Sequence, residues 1–191
     1  MGLIRGLNSL YEGVFFGIQR ATEAWLIGLA ARLTFASVLL MYFLNSALTK
    51  VGSSFPEILI PTTNAYAQIV PKVMEEAGFD ATQIAFFPHG LMVYAGTYAE
   101  FILPVLIVIG LWTRAASLGM LGFIAVMTYV DITAHGADAA TIGGFFDRVQ
   151  DAAISDQRLL WAFPLLYLVL RGPGAISFDA VLGLTVREEP I

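Results

Sequence analysis

The chain has 191 residues, of which 58% are hydrophobic and 13% charged, and its formal net charge is −5. A soluble domain carries about a quarter charged residues, so this composition excludes an ordinary water-soluble protein and indicates a lipid environment. The sequence contains no cysteine, which excludes disulfides, cysteine-ligated metal clusters and covalently attached c-type haem, while the acidic balance argues against a nucleic-acid partner.

Residues 1–24 predict an amphipathic helix. Apolar side chains recur there at the three- to four-residue spacing of one helix face, at Leu3, Leu7, Leu10, Val14 and Ile18. Such a helix either lies flat on the membrane surface or packs on the end of a helix bundle, and the sequence favours neither. A cleavable signal peptide is not predicted, because the first long apolar stretch begins only at Trp25.

Residues 25–191 predict a membrane domain with four helical spans. A bilayer core about 30 Å thick takes about 20 helical residues. The apolar stretches give spans at 25–48, 89–112, 115–133 and 155–171, with polar loops at 49–88 and 134–154. The last apolar stretch is short, so its span requires Arg158 to reach outward from the helix end. The expected fold is an all-α, polytopic membrane four-helix bundle preceded by the amphipathic helix.

The placement of basic residues predicts the orientation of these spans. Arginines near span ends favour the cytoplasmic side of a membrane. With both termini cytoplasmic, the inner segments hold Arg5, Arg20, Arg114, Arg171 and Arg187. The two long acidic loops then face outward.

Glu100 is the most unusual residue of the second span. It lies near mid-membrane, where an ionised side chain costs about 2.5–3.5 kcal/mol on insertion scales. This cost calls for a partner cation, a protonated carboxyl or a ligand. Arg32, towards the inner end of the first span, is the expected partner. Two interpretations stay open: a structural ion pair, and a binding or proton-handling site.

A polar ring is predicted at the outer face of the bundle. It comprises Asn45, Lys50, His89, Asp131 and His135, with Tyr94, Tyr98 and Tyr129 at compatible depths. Such a ring fits the head group of a quinone or a small polar ligand, although helix ends in any membrane protein collect these residue types. The two histidines lie at helix ends, which disfavours haem. Their spacing with Asp131 matches no recognised ligand pattern, so no metal site is predicted.

Several motifs, taken in order, resemble one family. They are Arg32 and Lys50 at the two ends of the first span, Glu100, the turn Gly110-Leu111-Trp112-Thr113-Arg114, and the terminal Gly172-Pro173-Gly174 with Ser177-Phe178-Asp179. Over most of residues 26–182 this pattern resembles the DoxX family of small four-helix bacterial membrane proteins. One departure is Ala47, where the family pattern has a glycine three residues before the lysine.

The resemblance implies a bacterial inner-membrane protein and, for some members, a redox association, as in the membrane subunit of a thiosulfate:quinone oxidoreductase. It carries over Arg32, Lys50, Glu100, Arg114 and Asp179 as members of a polar network or a common site. The leading hypothesis is an accessory or quinone-interacting subunit of a membrane redox system, with a redox protein or a second copy of the chain as partner.

The alternative hypothesis is a non-catalytic scaffold or assembly protein that recruits partners through its outer loops. No complete catalytic motif is present in the chain. Small-molecule transport is disfavoured, because four spans are few and no inverted repeat is visible.

Overall fold

The computed structural model describes residues 2–185, and throughout that range the secondary structure is helical apart from loops and one isolated bridge between Val51 and Pro61. The helices are α1 (Gly2–Thr22), α2 (Leu26–Leu48), α3 (Thr63–Ile69), α4 (Pro71–Glu76), α5 (Phe86–Ile109), α6 (Thr113–Thr133), α7 (Ala139–Ile142), α8 (Ser155–Arg171) and α9 (Phe178–Val181). The prediction of an all-α protein is confirmed for these residues.

Within the described residues, three helices are long and apolar enough to cross a membrane, namely α2, α5 and α6. Their mean hydropathies are 1.8, 1.8 and 1.7. They correspond to the first three predicted spans. Their many exposed apolar side chains, such as Val38 and Val126, are those expected of helices that face lipid rather than water.

A tight turn separates α5 from α6. Gly110 and Trp112 both have left-handed backbone conformations, with φ of 76° and 46°. Glycine adopts this conformation without a steric penalty. The turn reverses the chain so that α6 runs antiparallel to α5 and packs against it.

The fourth predicted span corresponds to α8, which packs against α2 and α6. It has 17 residues, which at about 1.5 Å per residue span about 26 Å, less than the hydrocarbon core of about 30 Å. The core shared by these helices contains Phe35 and Phe43 of α2, Met120 of α6, and Leu165 and Leu168 of α8.

Helix α1 lies apart from this core. Every residue from Ile4 to Ala21 is exposed, including the apolar Leu7, Leu10 and Val14. The structure therefore does not have α1 packed on the end of the bundle, which was one of the two predicted arrangements.

The two ends of the helices are distinguished here by their buried cations. The Lys50 end contains the end of α2, the start of α5, the end of α6 and the start of α8. The Arg32 end contains the turn between α5 and α6 and the segment after α8. At the Lys50 end, residues 49–85, here called the cap, fold into α3, α4 and connecting turns. Ala65 and Val70 of the cap pack against Val93 of α5.

Candidate functional site

The partner of Glu100 is Lys50. The Lys50 Nζ lies 2.8 Å from Glu100 Oε2, and both side chains are almost fully buried, with 3% and 5% of their surface exposed. The prediction that Arg32 pairs with Glu100 is therefore wrong. Two opposite charges in contact offset part of the desolvation cost that either would carry alone in an apolar environment.

Lys50 reaches Glu100 because its side chain turns back along α2. Its Nζ also donates to Ser46 Oγ at 2.8 Å and to the Ser46 carbonyl at 3.3 Å, one helical turn earlier. A lysine at the end of a membrane helix usually extends towards water. Here the ammonium instead points towards the middle of α5, so both charges of the pair lie inside the bundle.

The cap closes the pair from outside. The Lys50 carbonyl accepts a hydrogen bond from Thr62 N at 2.8 Å, and Val51 and Pro61 form the isolated bridge, so the chain returns directly over Lys50. Tyr98 of α5 donates its hydroxyl to the Leu59 carbonyl at 2.7 Å. Together these contacts tie the cap to the two helices that carry the ion pair.

A buried hydroxyl lies on the same face of α5 as Glu100. Thr97 is completely buried, and its Oγ1 has no hydrogen-bond partner. Residues three apart on a helix are neighbours on one face. The Thr97 hydroxyl is thus an unpaired hydrogen-bonding group close to the ion pair.

Arg32 has a different role at the opposite end of the bundle. Its Nη1 donates to the Val108 carbonyl at 3.0 Å, and its Nη2 donates to the Ile176 carbonyl. A Cβ on Gly110 would lie 2.8 Å from Arg32 Nη1, so the glycine leaves the room that the guanidinium occupies. Arg32 joins α2, α5 and the segment after α8.

Asp179 caps the start of α6 from a distant part of the chain. Its Oδ1 accepts Trp112 N at 2.7 Å, and its Oδ2 accepts Thr113 N at 2.9 Å and Thr113 Oγ1 at 2.7 Å. The first N–H groups of a helix have no partner within the helix, and a carboxylate there also interacts favourably with the helix dipole. The family resemblance singles out Asp179, but no pattern in the sequence predicts this contact.

Asp131 pairs with Arg158, which joins α6 to α8 at the Lys50 end. Arg158 Nη1 also donates to Thr128 Oγ1 at 2.6 Å. The expectation that Arg158 reaches outward is wrong, because its side chain is largely buried against α6. This contact fixes the start of α8 beside the third span.

The other polar members of the predicted ring differ in burial. Asn45 and His135 are exposed, and His89 is half-buried. The His135 Nε2 lies 3.2 Å from the Gln68 carbonyl of the cap. Across residues 2–185 no group of three or more His, Cys, Asp or Glu side chains is placed to hold a metal ion. Among the predicted ring residues, Lys50, Asp131 and His135 thus contact three different partners.

The model of the DoxX family matches residues 27–136. This chain belongs to the DoxX family. No curated protein and no solved structure matches the chain. Family membership and the three apolar helices together establish an integral membrane protein of the DoxX type.

The DoxX match covers four of the five positions that the resemblance singled out. They are Arg32, Lys50, Glu100 and Arg114, whereas Asp179 lies beyond the matched range. The structure divides these positions between the two ends. Lys50 and Glu100 form one buried pair, while Arg32, Arg114 and Asp179 lie at the turn between α5 and α6 or beside it. These five residues therefore form two separate polar clusters, one at each end of the bundle.

Proposed function

We propose that this DoxX protein is a non-catalytic accessory subunit of a redox system in the bacterial inner membrane. In this proposal α8 crosses the membrane and completes a four-helix bundle, both termini are cytoplasmic, and α1 lies on the inner membrane surface. The cap then faces outward and recruits a partner redox protein.

The closure of the Lys50–Glu100 pair carries this proposal. Both charged atoms bond to each other inside the bundle, and the cap folds over them. Such a pair leaves no open face for a substrate and supports a role in architecture. A rigid bundle with a folded cap is suited to present a surface rather than to perform chemistry.

The outer surface supports recruitment of a protein. Phe79 of the cap is 65% exposed, and exposed aromatic side chains are typical of docking sites. Exposed carboxylates of α4, Glu75 and Glu76, lie three to four residues before it in the chain. Hydrogen bonds from the Thr82 hydroxyl and backbone N–H lower the pKa of Asp80, so this carboxylate is charged at neutral pH. A partner with a basic face around an apolar patch complements this surface.

The redox part of the proposal rests on the family likeness. A quinone-interacting version is favoured by one observation, the buried and unpartnered hydroxyl of Thr97 beside Glu100. A quinone carbonyl accepts hydrogen bonds, and a small rearrangement of the bundle would let Thr97 donate one.

Photo-crosslinking in native membranes tests the proposal. A photoreactive amino acid at Phe79 is expected to give an adduct with a flavin-, haem- or iron–sulfur-containing protein, identified by mass spectrometry. The matched control is the same amino acid at Val126, which is exposed on the lipid-facing surface of α6. Equal labelling at both positions, or adducts only with a second copy of the chain, would contradict recruitment of a redox partner.

Analysis of the purified protein distinguishes a purely architectural role from the quinone-interacting version of the proposal. Extraction of the sample and analysis for quinone is expected to find none above the level of a control membrane protein. Quinone that is retained by the wild type and lost in Thr97→Val would instead assign the quinone-interacting version.

A further inference from the structure

A large groove opens at the Arg32 end of the molecule. Its volume is about 1050 Å³, and it lies between the last turn of α1, the start of α6 and the segment after α8. It is lined by residues 172–175 and by Ile27, Trp112 and Tyr167. This groove is at the opposite end of the molecule from the Lys50–Glu100 pair and from the cap.

Three arginines line the groove, in a protein whose net charge is −5. They are Arg20 of α1, Arg114 of α6 and Arg171 of α8. Two carboxylates, Glu23 and Asp179, also line it. Asp179 is buried and its two oxygens already accept three hydrogen bonds from the start of α6. Because Asp179 is engaged by α6, the guanidinium groups of Arg20 and Arg114 face one further carboxylate among the described lining residues, that of Glu23.

The backbone at Gly172 leaves room for the Arg114 side chain beside this groove. A Cβ on Gly172 would lie 3.2 Å from Arg114 Nε, and Gly172 has a φ of 82°. Any side chain at this position would both strain the backbone and press on the guanidinium. Gly172 therefore allows the close approach that holds Arg114 at the groove.

In the proposed topology the groove lies at the depth of lipid head groups. It is at the starts of α2 and α6, two of the helices that are long enough to span a membrane. Trp112, which lines it, is 64% exposed, and tryptophan is enriched where a helix leaves the bilayer. A guanidinium at this depth meets phosphate, which it binds through paired N–H donors.

We propose that this groove binds the head group of an anionic phospholipid. Arg20 and Arg114 bind the phosphate from two different helices, while Ile27 and Tyr167 lie beside the first part of an acyl chain. The lipid thereby links α1, which makes few contacts of its own, to the membrane domain. A phosphate bound between α1 and α6 joins them as a protein contact would.

Lipid titration of the purified full-length protein in detergent, followed by native mass spectrometry, tests the proposal. Phosphatidylglycerol is expected to bind at least tenfold more tightly than phosphatidylcholine. Arg20→Gln and Arg114→Gln are each expected to weaken phosphatidylglycerol binding about fivefold, since one basic residue contributes about 1 kcal/mol to the attraction of anionic lipid. The matched control, Lys72→Gln on the exposed surface of α4 at the other end, is expected to leave it unchanged.

Three results would overturn the proposal. Equal affinity for the two lipids would remove the head-group specificity. Unchanged binding in Arg20→Gln, whose side chain lies on the exposed helix α1 and is not needed for folding of the bundle, would place the lipid elsewhere. Competition by inorganic phosphate at the same concentration as the lipid would assign the groove to a free anion.

Discussion

Lys50 and Glu100 are two residues whose side chains are stable in the bundle only together. With both charges present, each desolvated group has its counter-charge at 2.8 Å. With one removed, the other is a buried charge without compensation. The Lys50 ammonium also donates hydrogen bonds to Ser46, whereas Lys50 is the one cation that forms an ion pair with Glu100 among the described residues.

The ion pair is expected to show strong non-additivity. Lys50→Met and Glu100→Leu should each lower the free energy of unfolding by about 3–5 kcal/mol, because each leaves a buried charge alone. The double variant should lose far less than the sum, since it buries no charge. Denaturant titration in micelles, followed by helical circular dichroism, measures this. Lys72→Met, on the exposed surface of α4, is the control, and additive losses in the double variant would refute the coupling.

At the scale of elements, the close contact between α2 and the segment after α8 depends on one glycine. A Cβ on Gly28 would lie 2.5 Å from the backbone C and O of Pro173 and 2.7 Å from Gly174 N. Backbone atoms cannot rotate away as a side chain can. Ala175 N also donates to the Ala24 carbonyl at 2.8 Å. This backbone hydrogen bond holds the segment after α8 against the chain just before α2.

Gly28→Ala is therefore expected to destabilise the protein by about 1–3 kcal/mol, the range typical of overpacking. Gly122→Ala, a helical glycine in α6 with nothing within 4 Å of its added Cβ, should be neutral or stabilising by up to about 1 kcal/mol. Thermal unfolding of the two variants in the same detergent compares them. Equal effects would mean that the close approach of α2 to Pro173 is unimportant.

The sequence located the elements better than the contacts between them. The length and hydropathy of α2, α5 and α6 are properties of single segments, so they were predictable. The pairing of Glu100 was not, because helical rise gives the depth of Arg32 and Glu100 but not the rotation of α2 against α5. The inward turn of Lys50 also runs against the usual behaviour of lysine near a helix end. The contact of Asp179 with Trp112 joins residues 67 positions apart in the chain, and no local sequence pattern predicts it.

At the scale of the whole molecule, the proposed topology can be tested directly because the chain has no cysteine of its own. Single cysteines at the exposed positions Glu76, Ala140, Ser9 and Ala175 provide four reporters. A membrane-impermeant maleimide should label Glu76→Cys and Ala140→Cys in intact spheroplasts, and Ser9→Cys and Ala175→Cys only after permeabilisation. Equal labelling of Ala140→Cys and Ala175→Cys would show that α8 does not cross the membrane.

The contact of Arg32 with the Ile176 carbonyl has a consequence for biogenesis. The two residues are 144 positions apart, which at about 5–20 residues per second means that about 7–30 s of synthesis separate them. Over that interval α2 is already made, yet the guanidinium of Arg32 lacks one of its two carbonyl acceptors, and α6 begins without the carboxylate of Asp179. The nascent chain must therefore keep this end hydrated or shielded by the insertion machinery until the last segment arrives.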